Sequence, residues 1–118
     1  MERVMYKYFK THEFNCTHTA TGGEKMDPDF VHKLDELRER CGFPFKITSG
    51  YRDITHPVEA KKAQGGTHTK GIAVDIAVSN GFERMNIVHE ALKMGFNGIG
   101  IAKGFVHLDM RTTTPVMW

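Results

Sequence analysis

A chain of 118 residues has room for one hydrophobic core, so residues 1–118 are expected to form a single domain. Its 40% hydrophobic and 25% charged residues exclude wholesale disorder, and its apolar runs fall far short of the roughly 18–20 residues that span a bilayer. Sixteen Lys and Arg against 14 Asp and Glu leave a net charge of +2, too little for a dedicated nucleic-acid binder but mildly favourable to an anionic partner.

The opening run MERVMYKYFK alternates charge with apolar residues and carries no hydrophobic stretch or small-residue cleavage site, so no secretory signal is expected. Residues 1–10 read as a short strand or a surface segment. Thr11-His12-Glu13-Phe14 starts a helical turn with Thr11 as its cap, and residues 16–25, with Gly22-Gly23, read as loop. The clearest helix follows. Asp27 caps it, and Pro28 sits in the first turn, where its missing N–H costs nothing. Phe30, Leu34 and Leu37 recur at i, i+4 and i+7 with Val31 and Cys41 beside them, and Gly42 ends the run. A strand is expected over 43–49, with Phe45 and Ile47 on one side, and Gly50-Tyr51-Arg52 turns out of it. Pro57 opens a short helix through Gln64, and 65–71 form a loop with glycine hinges.

Residues 72–78, IAVDIAV, alternate as a strand does: Ile72, Val74, Ile76 and Val78 share one face, Ala73, Asp75 and Ala77 the other. Ser79 or Asn80 then caps a helix to about Met94, with Phe82, Met85, Val88, Ala91 and Leu92 expected inward and Gly95 as its stop. Ile99 to Ile101, a Lys103-Gly104 turn and a strand from Phe105 to Met110 complete the chain order. In that last strand Val106, Leu108 and Met110 share one face, and Phe105, His107 and Asp109 the other. The expected fold is α+β: a small antiparallel sheet with helices packed on its aliphatic side.

Seven histidines are the one compositional oddity, and imidazole is the commonest metal ligand. His68, Asp75 and His107 are the candidate set, because two imidazoles and a carboxylate suit Zn²⁺ with one coordination position left for water. Ala73 and Ala77 leave space around Asp75, and His107 projects from the same kind of strand face. Seven extended residues would hold His68 ~23 Å from Asp75, so the loop must double back, which Gly71 permits. Taken singly, each residue is more often a solvated surface group, and spacing alone leaves the site open. Cys16 and Cys41 belong to no CxxC pair. Two reduced thiols are expected, with a single Cys16–Cys41 bridge as the alternative. Arg52 is either a cleft guanidinium that pairs with a substrate carboxylate or a surface partner of Asp53. His12, His18, His32 and His89 are read as surface or packing residues, and His56, near the turn after Arg52, as structural, with a place close to the site as the alternative.

Thr67-His68-Thr69-Lys70-Gly71-Ile72-Ala73-Val74-Asp75 resembles the H-x-x-G-x-A-x-D signature of the zinc D-Ala-D-Ala carboxypeptidases. That family includes phage endolysins and vancomycin-resistance dipeptidases and shares its fold with the hedgehog signalling domain. Ser49-Gly50-Tyr51-Arg52 resembles its S-G-Y-R turn, and Phe105-Val106-His107-Leu108-Asp109 its closing F-x-H-x-D strand. The resemblance implies a hedgehog-like peptidase fold, zinc on His68, Asp75 and His107, and Arg52 on substrate. It further implies hydrolysis of peptidoglycan stem peptides by a monomer made in a host cytoplasm and acting on the cell wall. The chain departs from the pattern at Gly66, where relatives usually have Ser, and at Gly104, where many have the acidic catalytic base. Asp109 is then the best local candidate for that base, or equally an acceptor that orients a ligand imidazole. A dipeptidase acting on small substrates and a zinc-keeping wall-binding module are the competing readings.

Overall fold

The computed structural model describes residues 6–53, 55, 56 and 66–118. The helix expected over 57–64 lies outside these residues. Helix α1 spans Pro28–Cys41, with the Asp27 carboxylate accepting from the Asp29 N–H at 2.9 Å and Gly42 closing the last turn at φ +77°. Helix α2 spans Gly81–Met94, capped by the Asn80 side chain and closed by Gly95 at φ +81°. Thr11–Phe14 form a 3-10 turn that Lys10, not Thr11, precedes as cap.

Five strands, β1 (Ile47–Ser49), β2 (Ala73–Ala77), β3 (Gly98–Ile101), β4 (Phe105–Asp109) and β5 (Val116–Met117), make one sheet in the order β1-β2-β4-β3-β5. The first four run antiparallel to their neighbours, as expected, but β5 adds to the edge parallel to β3. The sheet is therefore mixed. A two-residue strand is too short to carry a periodic signal, and backbone bonds set it in place: Trp118 N–H to Ile99 O at 3.0 Å and Ile101 N–H to Trp118 O at 2.8 Å. Strand β1 is shorter than 43–49, and Pro44 within that stretch has no N–H to give a ladder.

Both helices pack on one side of the sheet. Phe30, Val31, Leu34 and Leu37 of α1 meet Val74, Ile76, Ile99, Val106 and Leu108, and Phe96, just after α2, meets Phe30 edge-on with ring centroids 6.0 Å apart. Helix α2 faces inward with Val88 and Ala91, as expected, but not with Phe82, Met85 and Leu92. Phe82, Met85 and Leu92 are 73%, 69% and 57% exposed, while Ile87 and Ala91 are buried and Val88 and Met94 pack against the core. At 3.6 residues per turn these two apolar stripes lie on nearly opposite sides of the helix, and only one can face the sheet. Both cysteines are free thiols, Cys16 buried and Cys41 half-buried. Among the described residues no helix is long and apolar enough to cross a membrane.

Candidate metal centre

Asp75 and His107 meet because the register of β2 and β4 sets their Cα atoms opposite each other, with Ala73 and Asp109 the matching pair two residues along. On the far side of β4, Gly100 and Gly98 of β3 face His107 and Asp109. A Cβ on Gly98 would overlap the Asp109 carboxylate, and one on Gly100 would lie 2.7 Å from the Trp118 ring. Two glycines in a central strand weaken its propensity, but here they make room for the groups behind His107.

His68 arrives on the turn before β2. Gly71 adopts φ +75°, its N–H donates to His68 O at 3.3 Å, and any Cβ there would overlap the Lys25 carbonyl. The reversal carries the imidazole back over Asp75, with Nε2 3.4 Å from Asp75 Oδ1. The turn after β1 secures it. His68 Nδ1–H donates to Gly50 O at 2.8 Å, and Arg52 N–H to His68 O at 3.3 Å. With Nδ1 engaged by that carbonyl, Nε2 is the ring nitrogen turned towards Asp75. Gly50 is itself wedged against the Phe14 backbone, whose carbonyl accepts from the Tyr51 N–H at 2.8 Å.

His107 Nδ1 is 3.0 Å from that same Asp75 Oδ1, and its Nε2–H donates to Asp109 Oδ2 at 2.7 Å. Arg111 closes the far side of Asp109 through its backbone N–H (3.0 Å), Nε (2.9 Å) and Nη2 (2.6 Å). Arg52 brings Nη2 within 3.5 Å of Asp75 Oδ2. Burial pushes the Asp75 pKa up, but hydrogen bonds from His107 and His68 overcome that and hold the carboxyl well below the usual range. Asp109 behaves likewise: burial raises its pKa, and hydrogen bonds from His107 and Arg111 lower it further than burial lifts it. Burial opposes a charge on His107, but hydrogen bonds to Asp109 and Asp75 outweigh it and raise its pKa.

Donor atoms of His68, Asp75 and His107, one from each, lie within 4.8 Å of one another, and all three residues are buried. Two ring nitrogens converge on one carboxylate oxygen, a convergence that could hold a divalent cation in place of protons. The donor set, two imidazoles and one carboxylate, fits zinc, and each imidazole's other nitrogen already has the oxygen acceptor that ligand histidines need.

The three residues open on a cleft of about 590 Å³. Arg52, Lys70 and Arg111 line it with Phe105 and Trp118, and among the described residues Asp75 is the only carboxylate in its wall. Asp109 lies behind His107 with none of its surface exposed. His56 sits elsewhere, near Thr17 (3.4 Å) and the His18 ring (5.9 Å). Sequence reasoning missed Arg111 and Trp118. Arg111 follows Asp109 by two residues, so strand alternation could have placed it on the same side, whereas Trp118 had no local signal. A protein-family model described as Peptidase M15 matches residues 7–109. No curated protein matches the chain.

Proposed function

Because the chain belongs to the M15 peptidases, the zinc D-Ala-D-Ala carboxypeptidase family, we propose that it is a zinc-dependent peptidase that hydrolyses stem peptides of bacterial peptidoglycan. The convergence of His68, Asp75 and His107 on one point at a solvent-open cleft carries this reading. Those three residues would hold the metal, and zinc there would supply Lewis acidity to polarise a carbonyl and make water nucleophilic near neutral pH. In the hydrolysis the oxygen of water joins the carbonyl carbon, the C–N bond breaks, and the protons end on the new amine and the carboxyl group.

The chain's own residues do the rest. Gly50 O holds His68 with Nε2 towards the centre, and Asp109 holds His107 with Nδ1 towards it. Arg52 presents its guanidinium beside Asp75, where it binds a carboxylate or carbonyl oxygen of the stem and steadies negative charge as the carbonyl is attacked. Asp109 has no exposed surface and is gripped by Arg111, so its role is to orient His107 rather than to carry the proton. The biological setting proposed is cell-wall lysis of the phage-endolysin kind, which rests on the motif resemblance.

The test pairs metal content with product analysis. Purified protein is expected to hold one zinc per chain, to release stem-peptide fragments from sacculi and to clear outer-membrane-permeabilised cells. His68→Ala should lose both metal and turnover. Cleavage of free D-Ala-D-Ala but not of sacculi would transfer the assignment to a dipeptidase. A second reading, a zinc-keeping wall-binding module, draws on Gly104 and on the lack of any cleft-lining carboxylate besides Asp75 among the described residues. One zinc per chain with intact muropeptides in the mass spectrum would favour it.

A further inference from the structure

Behind His107 and Asp109 stand Arg111 and Trp118, to which the proposed chemistry gives no role of their own. Arg111 grips Asp109 with two side-chain nitrogens and its own backbone N–H, at 2.9, 2.6 and 3.0 Å. This fork leaves the Asp109 carboxylate a single orientation, the one in which Oδ2 accepts from His107 Nε2 at 2.7 Å. Arg111 is itself held from the other side. Its guanidinium carbon lies 5.0 Å from the Trp118 ring centroid, and the same indole stands 5.1 Å from the His107 ring at 45°. The Trp118 backbone is bonded in both directions to β3, and Gly100 supplies the gap into which the indole fits.

We propose that Arg111, clamped between Asp109 and the Trp118 indole, is a positioning residue that fixes the orientation of His107 and thereby sets the metal affinity of the centre. The proposal rests on the zinc reading above. Without the fork, Asp109 can rotate about its terminal torsion, and the acceptor that holds His107 Nε2 at 2.7 Å is no longer fixed. The imidazole then samples other orientations, and Nδ1 is less often directed at the metal. Loss of such a supporting contact typically costs about 10- to 100-fold in metal affinity. β5 therefore does more than extend the sheet: it brings in the indole that backs the guanidinium.

The experiment titrates zinc against a chromophoric chelator in wild type, Arg111→Met, Arg111→Lys, Trp118→Leu and Asp109→Asn. Imidazole ¹H–¹⁵N correlations are recorded for the zinc-loaded proteins, where the His107 Nε2–H signal reports the bond to Asp109. Arg111→Met is expected to keep one zinc per chain but bind it about 10- to 100-fold more weakly, with the His107 Nε2–H signal shifted or broadened by exchange with solvent. Trp118→Leu should weaken binding less. Adding Arg111→Met to Asp109→Asn should cost little more than Asp109→Asn alone, because Arg111 acts through that carboxylate. Should Arg111→Met fail to fold, Arg111→Lys keeps the charge without the fork and should show the same loss. Unchanged affinity and an unchanged His107 Nε2–H signal in a folded variant overturn the proposal while leaving the zinc reading intact, and so do fully additive losses in the double variant. A wild-type protein that binds no zinc overturns both.

Discussion

Arg52 reaches the centre without joining it: its guanidinium stands 3.5 Å from Asp75 Oδ2 and also faces the cleft. A substrate-facing role and a local ion pair make different demands, and replacing the residue separates them. Arg52→Ala should leave zinc content at one per chain and lower kcat/KM by about 10²- to 10³-fold, as the loss of one oxyanion-type donor does. A wild-type rate for stem-peptide release would return Arg52 to an electrostatic neighbour of Asp75. His68, Asp75 and His107 were legible as residue types on strand faces and in a glycine-hinged loop. What each donates was not. The ring nitrogen of His68 turned from the centre is set by the Gly50 carbonyl, 18 positions away in sequence, and that of His107 by Asp109 held by Arg111. The burial of Asp109 and its three contacts to Arg111 were not legible either.

The boundaries of both long helices were legible because their signals are local: Asp27 and Asn80 as caps, Gly42 and Gly95 as left-handed stops. The facing of α2 was legible at Val88 and Ala91 but not at Phe82, Met85 and Leu92, since that helix carries two apolar stripes and neither its caps nor its propensity distinguishes them. Ile87→Ala should cost about 2–5 kcal/mol in urea unfolding, because Ile87 is 1% exposed and packs in the core. Phe82→Ala, on the exposed stripe, should stay within about 0.5 kcal/mol of wild type. Equal losses at the two positions would mean that the Phe82 stripe is covered in solution. Register across β2 and β4 belongs to the same scale. Period-two alternation placed Asp75 and His107 on ionisable faces, but only the antiparallel pairing shows that these faces coincide with the two residues opposite each other.

Across the whole molecule the centre ties together segments distant in sequence: the turn after β1, the turn before β2, two central strands and the edge strand β5. A metal bound there stabilises the folded state alone, by about 2.7 kcal/mol at a free concentration 100 times its Kd. Removing it with a chelator should lower Tm by several degrees per kcal/mol lost, and adding zinc back should restore it. Asp75→Ala should abolish the difference between the two conditions. A Tm indifferent to chelator and zinc in the wild type would remove the metal from the centre.

What the chain alone determined is short in range. Caps, stops and strand alternation act within a few residues, so their physics is written in contiguous side chains. The α+β class and the helix limits follow from them. The parallel pairing of β5, the inward stripe of α2, the meeting of His68, Asp75 and His107 and the Trp118–Arg111–Asp109 layer depend on contacts between residues far apart along the chain. Those contacts come into being only when the sheet closes and buries its polar groups against particular partners, because burial is what turns an optional hydrogen bond into an obligatory one.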